Sequence, residues 1–198
     1  VIYLQEYGMR KSMNKRYITN KELEAGCLEF VRQMHEDNWR PDYIVGVTRG
    51  GLQLAVMLSH FTNTLMHTLD VRLRDGSGTG PESNLWMSED AFGYVEIKDR
   101  DDVWRTAKSD PGKRKNILIV DDINDTGETF NWIKDDWQTS CMPNDEAWKD
   151  IWHNNVKFAV LIDNIPSKAD VDYSSIEINK DEDPAWIVFP YEEWWHAN

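Results

Sequence analysis

The chain has 198 residues, 40% of them hydrophobic and 29% charged, the proportions of a globular domain rather than of a disordered segment. Lysine and arginine number 22 against 35 aspartates and glutamates, a formal net charge of −13, which excludes non-specific binding to nucleic acid or to an anionic membrane, because both need a positive field. No apolar run approaches the roughly 20 residues that span a bilayer. Cys27 and Cys141 form no CxxC pair and the histidines form no HExxH cluster, so neither zinc nor a disulfide framework is indicated, and a reduced, cytoplasmic compartment is expected. Residues 1–12 read as a leader or extension, ahead of a core over 13–182 and a C-terminal segment over 183–198.

In chain order, Thr19-Asn20-Lys21-Glu22 is a capping-box pattern, and Leu23, Cys27, Phe30, Val31 and Met34 repeat at helical spacing, which predicts a helix to about His35. Tyr43 to Val47 is an unbroken apolar run, the mark of a strand buried on both faces. Thr48-Arg49-Gly50-Gly51 follows as a tight turn, Leu52 to His60 as a short helix, and Thr64 to Val71 as the next strand. Residues 72–115 show no clear period, and Gly76, Gly78, Gly80 and Pro81 cluster near their start, so one long flexible loop is expected there. Asn116 to Val120 is a second buried run and ends in Asp121-Asp122; a helix carrying Phe130, Ile133 and Trp137 is predicted from near Thr126. Residues 139–153 read as an insertion with its own short helix, Asn155 to Ile162 as a third strand, Ser175 to Ile178 as a weak fourth, and the end from Ala185 is dense in aromatics. Strands alternate with helices and lack polar alternation, so the expected fold is α/β, a mostly parallel sheet of about five strands covered on both faces.

Chemistry concentrates in Asp121-Asp122-Ile123-Asn124-Asp125-Thr126-Gly127-Glu128-Thr129. Ligands of open α/β sheets bind beyond the carboxyl ends of the strands, where two adjacent carboxylates stand here. The helix start that follows offers unpaired N–H groups and a positive dipole end, which suit a phosphate. Gly127 lets the backbone approach, and Thr126 and Thr129 add hydroxyl donors. One element therefore carries a phosphate cradle and an acidic pair for sugar hydroxyls or a metal, and a phosphorylated sugar matches both. A bare Asp pair after a strand also serves as plain turn and capping chemistry, and receiver-type phosphoryl-transfer domains carry one, but those readings leave the remainder of the string unused.

The segment from Ile117 to Thr129 resembles the PRPP-binding signature of the type I phosphoribosyltransferases. Val47-Thr48-Arg49-Gly50-Gly51 resembles their pyrophosphate loop. Asp183-Pro184-Ala185-Trp186-Ile187-Val188-Phe189-Pro190-Tyr191-Glu192 is similar to the base-binding hood of the xanthine–guanine members, whose opening residues Met13 to Thr19 also resemble. The resemblance implies a small C-terminal hood on the α/β core and transfer of ribose 5-phosphate from PRPP to a purine, a 6-oxopurine by preference, in nucleotide salvage. It places the 5′-phosphate on Asp125, Thr126, Gly127, Glu128 and Thr129, with Asp125 also the catalytic acid/base near the purine. Asp121 and Asp122 face the ribose hydroxyls and Mg2+, which is held largely through PRPP and water. Thr48, Arg49, Gly50 and Gly51 hold the pyrophosphate, with a non-proline cis peptide between Thr48 and Arg49. Trp186 stacks on the base and Ile187 bonds its edge through the backbone. The long loop closes over the reaction, and a homodimer or homotetramer is implied.

One position departs from that pattern. Purine-specific members carry a lysine after the third strand, and the register here gives Asn164, or else Asp163, with Lys168 nearby as a substitute. Guanine, hypoxanthine and xanthine all stay open as the base. Two other activities compete on the same scaffold: a non-catalytic PRPP- or nucleotide-binding regulator, and a phosphoribosyltransferase for a different nitrogenous acceptor.

Overall fold

A computed structural model describes residues 14–71, 85–98 and 104–192. Its centre is a five-stranded sheet in the order β3-β2-β6-β7-β8, built from β2 (Tyr43–Thr48), β3 (Leu65–Asp70), β6 (Ile117–Asn124), β7 (Val156–Asn164) and β8 (Tyr173–Ile178). Every neighbouring pair in it is parallel. Parallel strands need crossover connections, and helices supply them. Helices α1 (Asn20–Glu36) and α2 (Gly51–Thr62) lie on one face, and α3 (Leu85–Phe92), α4 (Glu128–Ser140) and α5 (Trp148–Ile151) on the other.

Period-two alternation explains why the strands read as continuous apolar runs. Along β6, Ile117 and Ile119 point to the face of α3, α4 and α5, whereas Leu118 and Val120 point to the face of α1 and α2; all four are fully buried. The first face is closed by Phe130, Ile133 and Trp137 from α4 with Phe92 and Trp148. The second is closed by Leu23, Cys27 and Phe30 from α1 with Leu54 and Leu58 from α2. The capping box at the start of α1 is formed in both directions: Thr19 N donates to Glu22 Oε2 at 2.7 Å and Glu22 N donates to Thr19 Oγ1 at 3.3 Å.

Two smaller pairings flank the sheet. β1 (Asn14–Tyr17) runs parallel to β9 (Ala185–Val188), and the ribbon is continued by Ile18 N donating to Val188 O at 2.9 Å. β4 (Tyr94–Lys98) and β5 (Trp104–Ser109) form an antiparallel hairpin.

The stretch 72–115 is where the structure departs from the expected single loop. Its described part holds α3, the β4–β5 hairpin and a 3-10 turn at Pro111–Lys113. Met87, Ala91 and Phe92 anchor α3 in the core, an apolar stripe too short to stand out amid the surrounding charges. Other boundaries moved by a few residues. β6 runs on to Asn124, β7 to Asn164, β8 begins at Tyr173, and α4 begins at Glu128 and runs into the expected insertion to Ser140. Within that insertion α5 buries Trp148 and Ile151. Residues 1–13, 72–84, 99–103 and 193–198, with Trp194 and Trp195 among the last, lie outside the described residues.

Candidate functional site

The carboxyl ends of β2, β3 and β6 and the hood strand β9 enclose a cleft of about 970 Å³. Thr48, Arg49, Asp70, Asp121 to Phe130, Lys180, Trp186, Ile187, Phe189 and Glu192 line it. This is the position the topology of a parallel sheet predicts, because strand ends and helix starts converge there with backbone groups unpaired.

The turn from β6 into α4 is held from behind. Gly127 has φ 84°, and a Cβ there would lie 2.5 Å from Ala169 N and 2.9 Å from Lys168 C. Lys168 N donates to Thr126 O at 3.2 Å, and Asn131 Nδ2 donates to Lys168 O at 3.2 Å. Beneath the turn, buried Asn124 donates through Nδ2 to Asp163 Oδ1 and Ala169 O, both at 2.7 Å, and accepts from Ser167 Oγ at 2.8 Å. The turn is thus pre-shaped where Thr126 to Phe130 line the cleft, and the first N–H groups of α4 lack intrahelical partners, that of Glu128 donating to Thr126 Oγ1 at 3.4 Å.

The peptide between Thr48 and Arg49 is cis, as the resemblance implied. Thr48 Oγ1 donates to Asp70 Oδ1 at 2.8 Å, which ties this turn to the end of β3. Gly50 and Gly51 do not line the cleft. They let the turn press onto β6: a Cβ on Gly51 would fall 2.1 Å from Val120 O, and one on Gly50 would fall 2.1 Å from Asp122 Oδ2.

The acid pair is mostly hidden from water. Asp121 is 9% exposed, and its carboxylate accepts from Asp122 N at 2.9 Å and from the Gly51 N–H. Burial first, and then the Asp122 charge, push its carboxyl well above the ordinary range. Asp122 is pushed up to about 6, again chiefly by burial; the hydrogen bond from Tyr191 acts in the opposite direction, and the Glu192 charge adds to the rise. Tyr191 reaches back from the hood, with Oη 2.9 Å from Asp122 Oδ2 and 3.1 Å from Gly50 O. Burial and the neighbouring Asp122 push its phenol up, so it stays a donor. A buried acid pair of this kind gains most from whatever brings donors or positive charge to it.

Trp186 and Ile187 on β9 line the cleft from the hood. Asn164 is buried behind the cleft rather than lining it: its Nδ2 donates to Asp125 O at 2.9 Å, and its Oδ1 accepts from Lys180 N at 3.0 Å. Asp163, the alternative register, is taken up by Asn124. Lys168 contributes its backbone to the turn, and its exposed side chain is not part of the cleft. The amine in the cleft belongs to Lys180, with Nζ 2.8 Å from Asp125 Oδ1.

Sequence reasoning therefore missed Lys180, Asp70, Phe189 and Glu192 as lining residues. Asp70 ends a strand and was findable by the strand-end rule. Lys180 precedes the hood in an Asn-Lys-Asp-Glu-Asp turn that reads as solvated charge. Among the described lining residues, carboxylates come from Asp70, Asp121, Asp122, Asp125, Glu128 and Glu192 and cations from Arg49 and Lys180. No group of three or more His, Cys, Asp or Glu side chains poised to hold a metal by themselves occurs among the described residues.

A family model described as a phosphoribosyl transferase domain matches residues 13–195. Among solved structures, the purine phosphoribosyltransferase of Pyrococcus horikoshii Ot3 is similar at 25% identity, with a TM-score of 0.59 over 92% of this chain and 97% of that one. The xanthine-guanine-hypoxanthine phosphoribosyltransferase of Helicobacter pylori shares the fold at 16% identity and a TM-score of 0.57, over 93% of this chain and 97% of that one. A Neisseria gonorrhoeae protein with bound ppGpp shares it at 16% identity and a TM-score of 0.55, over 92% and 91% of the two chains. No curated protein matches the sequence.

Proposed function

The chain belongs to the phosphoribosyltransferase family, and from its cleft we propose that it transfers the 5-phosphoribosyl group of PRPP to a 6-oxopurine, releasing pyrophosphate, in nucleotide salvage. The observation that carries the reading is the meeting, in one cleft, of the Asp125–Thr129 turn, the Asp121-Asp122 pair, the Thr48-Arg49 turn and the Trp186–Ile187 wall. The 25% identical Pyrococcus horikoshii purine phosphoribosyltransferase supports a purine as acceptor.

In this reading the 5′-phosphate lies on the amides of Thr126 to Thr129, with the positive end of α4 behind it. Asp121 and Asp122 accept from the ribose hydroxyls, and Arg49 meets the pyrophosphate. Trp186 supplies a flat face for the base and Ile187 its backbone groups. As the bond from ribose C1′ to pyrophosphate oxygen breaks and the bond to the purine nitrogen forms, Asp125 takes the ring proton. Its charge also offsets positive charge on the ribose. The oxygen-only character of the acid pair fits Mg2+, which binds through one or two carboxylates plus substrate phosphates; when bound, it offsets charge on PRPP in a cleft lined mainly by carboxylates.

Further support bears on the setting. Cys27 and Cys141 are buried free thiols, in keeping with a reducing, cytoplasmic compartment. No helix among the described residues is long and apolar enough to cross a membrane. Val56 and Phe61 of α2 and Leu65 of β3 are exposed apolar side chains, which suits a homo-oligomer.

The test is pyrophosphate release from PRPP and Mg2+ with guanine, xanthine, hypoxanthine, adenine, uracil or orotate as acceptor. Release with a 6-oxopurine, its loss on adding EDTA, and a fall in kcat/KM of at least about tenfold for Asp125→Asn are expected. Silence with every acceptor while PRPP still binds would turn the reading into that of a PRPP-binding regulator.

A further inference from the structure

We infer that Lys134 is a nucleophilic amine served by His153 and Asp172, a modification site that takes the acyl group of a small acyl phosphate. These side chains do not line the cleft, and the inference stands apart from the transfer proposed above.

Separate elements bring the three side chains together. Lys134 sits on α4, His153 follows α5, and Asp172 precedes β8. Lys134 Nζ stands 3.1 Å from His153 Nε2, and His153 Nδ1 stands 3.1 Å from Asp172 Oδ2. Asp172 is itself fixed, because its Oδ2 accepts from Phe158 N at 2.8 Å and its side chain is 10% exposed. The fully buried Phe158 ring of β7 packs against the group, its centroid 5.1 Å from Lys134 Nζ and 5.9 Å from that of the imidazole. His153 is held at φ 64°, and its backbone N–H donates to Val156 O at 2.8 Å, so the turn that carries the ring is fixed too.

A carboxylate only accepts, so Nδ1 of the neutral imidazole carries the proton that faces Asp172, and Nε2 turns its lone pair to Lys134. Nucleophile, base and orienting acid then follow one another as they do around an activated nucleophile. Burial lowers the Lys134 amine from its ordinary value, against the charges of Asp170 and Asp172, which raise it. Lys157 and Lys180 show the contrast: they meet the carboxylates of Asp37 and Asp125, which hold an ammonium charged.

In the step, the Lys134 ammonium passes one proton to His153 Nε2, which gives it up to water. The amine lone pair attacks the acyl carbon and the N–C bond forms. The C–O bond to phosphate breaks, with its electron pair leaving on the phosphate. The second proton lost by nitrogen leaves with the phosphate, and the product is a neutral amide. A half-buried amine near Asp170 and Asp172 favours a small donor over a large polyanionic thioester.

The experiment incubates the full chain with acetyl phosphate near neutral pH and follows acetylation at each lysine by peptide mass spectrometry. Initial acetylation at Lys134 is expected to exceed that at the exposed Lys21 and Lys113 at least about tenfold. His153→Gln, which keeps a polar group without the base, should slow Lys134 at least about tenfold. Acetyl-CoA, the second donor, should label Lys134 less than acetyl phosphate does. The wild-type ranking decides by itself, and the melting temperature of His153→Gln shows whether that variant is folded. The inference is overturned if Lys134 reacts no faster than Lys21 and Lys113, or if folded His153→Gln keeps the wild-type rate. It is equally overturned if acetyl-CoA labels Lys134 better than acetyl phosphate does. None of these outcomes depends on pyrophosphate release, so failure here is distinguishable from failure of the transfer reading.

Discussion

Asp122 is the residue on which opposing demands meet. It is half-buried, carries a charge near Asp121 and Glu192, and is held by the Tyr191 phenol against Gly50. Its carboxyl is raised from an ordinary value of 3.8 to about 6. In the sense of linkage, a raised acid favours the folded state most when protonated: that contribution is full below pH 4, is lost as pH rises through about 6, and stays lost above. Asp122→Asn keeps an oxygen for Tyr191 and removes the charge. The ligand-free variant should therefore be more stable than wild type at pH 8 by about 1–3 kcal/mol, with the gap closing by pH 4. Urea melts at the two pH values check this; an equal gap at both would refute the assignment. The same variant should bind PRPP less well, since the acid is kept for ligands at a cost in stability.

At the scale of elements, the β6–α4 unit and the β2–α2 unit were legible in the sequence because each is local. An apolar run, a turn of fixed chemistry and a helix start follow one another within a dozen or so residues, and every signal agrees. Gly127 is the hinge point of the first unit. Its positive φ and the 2.5 Å approach to Ala169 N leave no room for a side chain. Gly127→Ala should cost about 2 kcal/mol of stability and weaken PRPP binding at least about tenfold, read by thermal melting and calorimetry. Unaltered PRPP affinity would mean that the turn does not carry the phosphate. What escaped the sequence was assembled across elements. Lys180 reaches Asp125 only because Asn164 draws two turns together, and α3 is recognisable only by the core it fills. Neither leaves a periodic or compositional trace, so a lysine in an acidic turn and a helix among charges both read as solvated loop.

Over the whole molecule, the formal charge of −13 and a cleft dominated by carboxylates set a repulsive field for the polyanion proposed as substrate. Attraction is confined to short range, at Arg49, Lys180 and the start of α4. Screening should then help rather than hinder encounter. Raising KCl from about 20 to about 200 mM at saturating Mg2+ should increase kcat/KM for PRPP roughly two- to fivefold, the reverse of a positively steered enzyme. Steady-state kinetics across a salt series decide the sign, and a fall would show that the local cations dominate the approach.

The ribbon of β1 and β9 pairs Lys15 with Trp186 and Arg16 with Ile187 over only four residues a strand. So short a pairing is weakly fixed by itself. In a strand a slip of one residue exchanges the two faces. It would bring Ala185 or Ile187 to the station of Trp186 and leave the wall without its indole. The alignment is pinned from outside the ribbon, by Ile18 N on Val188 O, by the buried Phe189 and by Tyr191 on Asp122. In the transfer proposed, the identity of the base that fits is thereby a matter of frame: four paired residues decide which side chain an acceptor would meet.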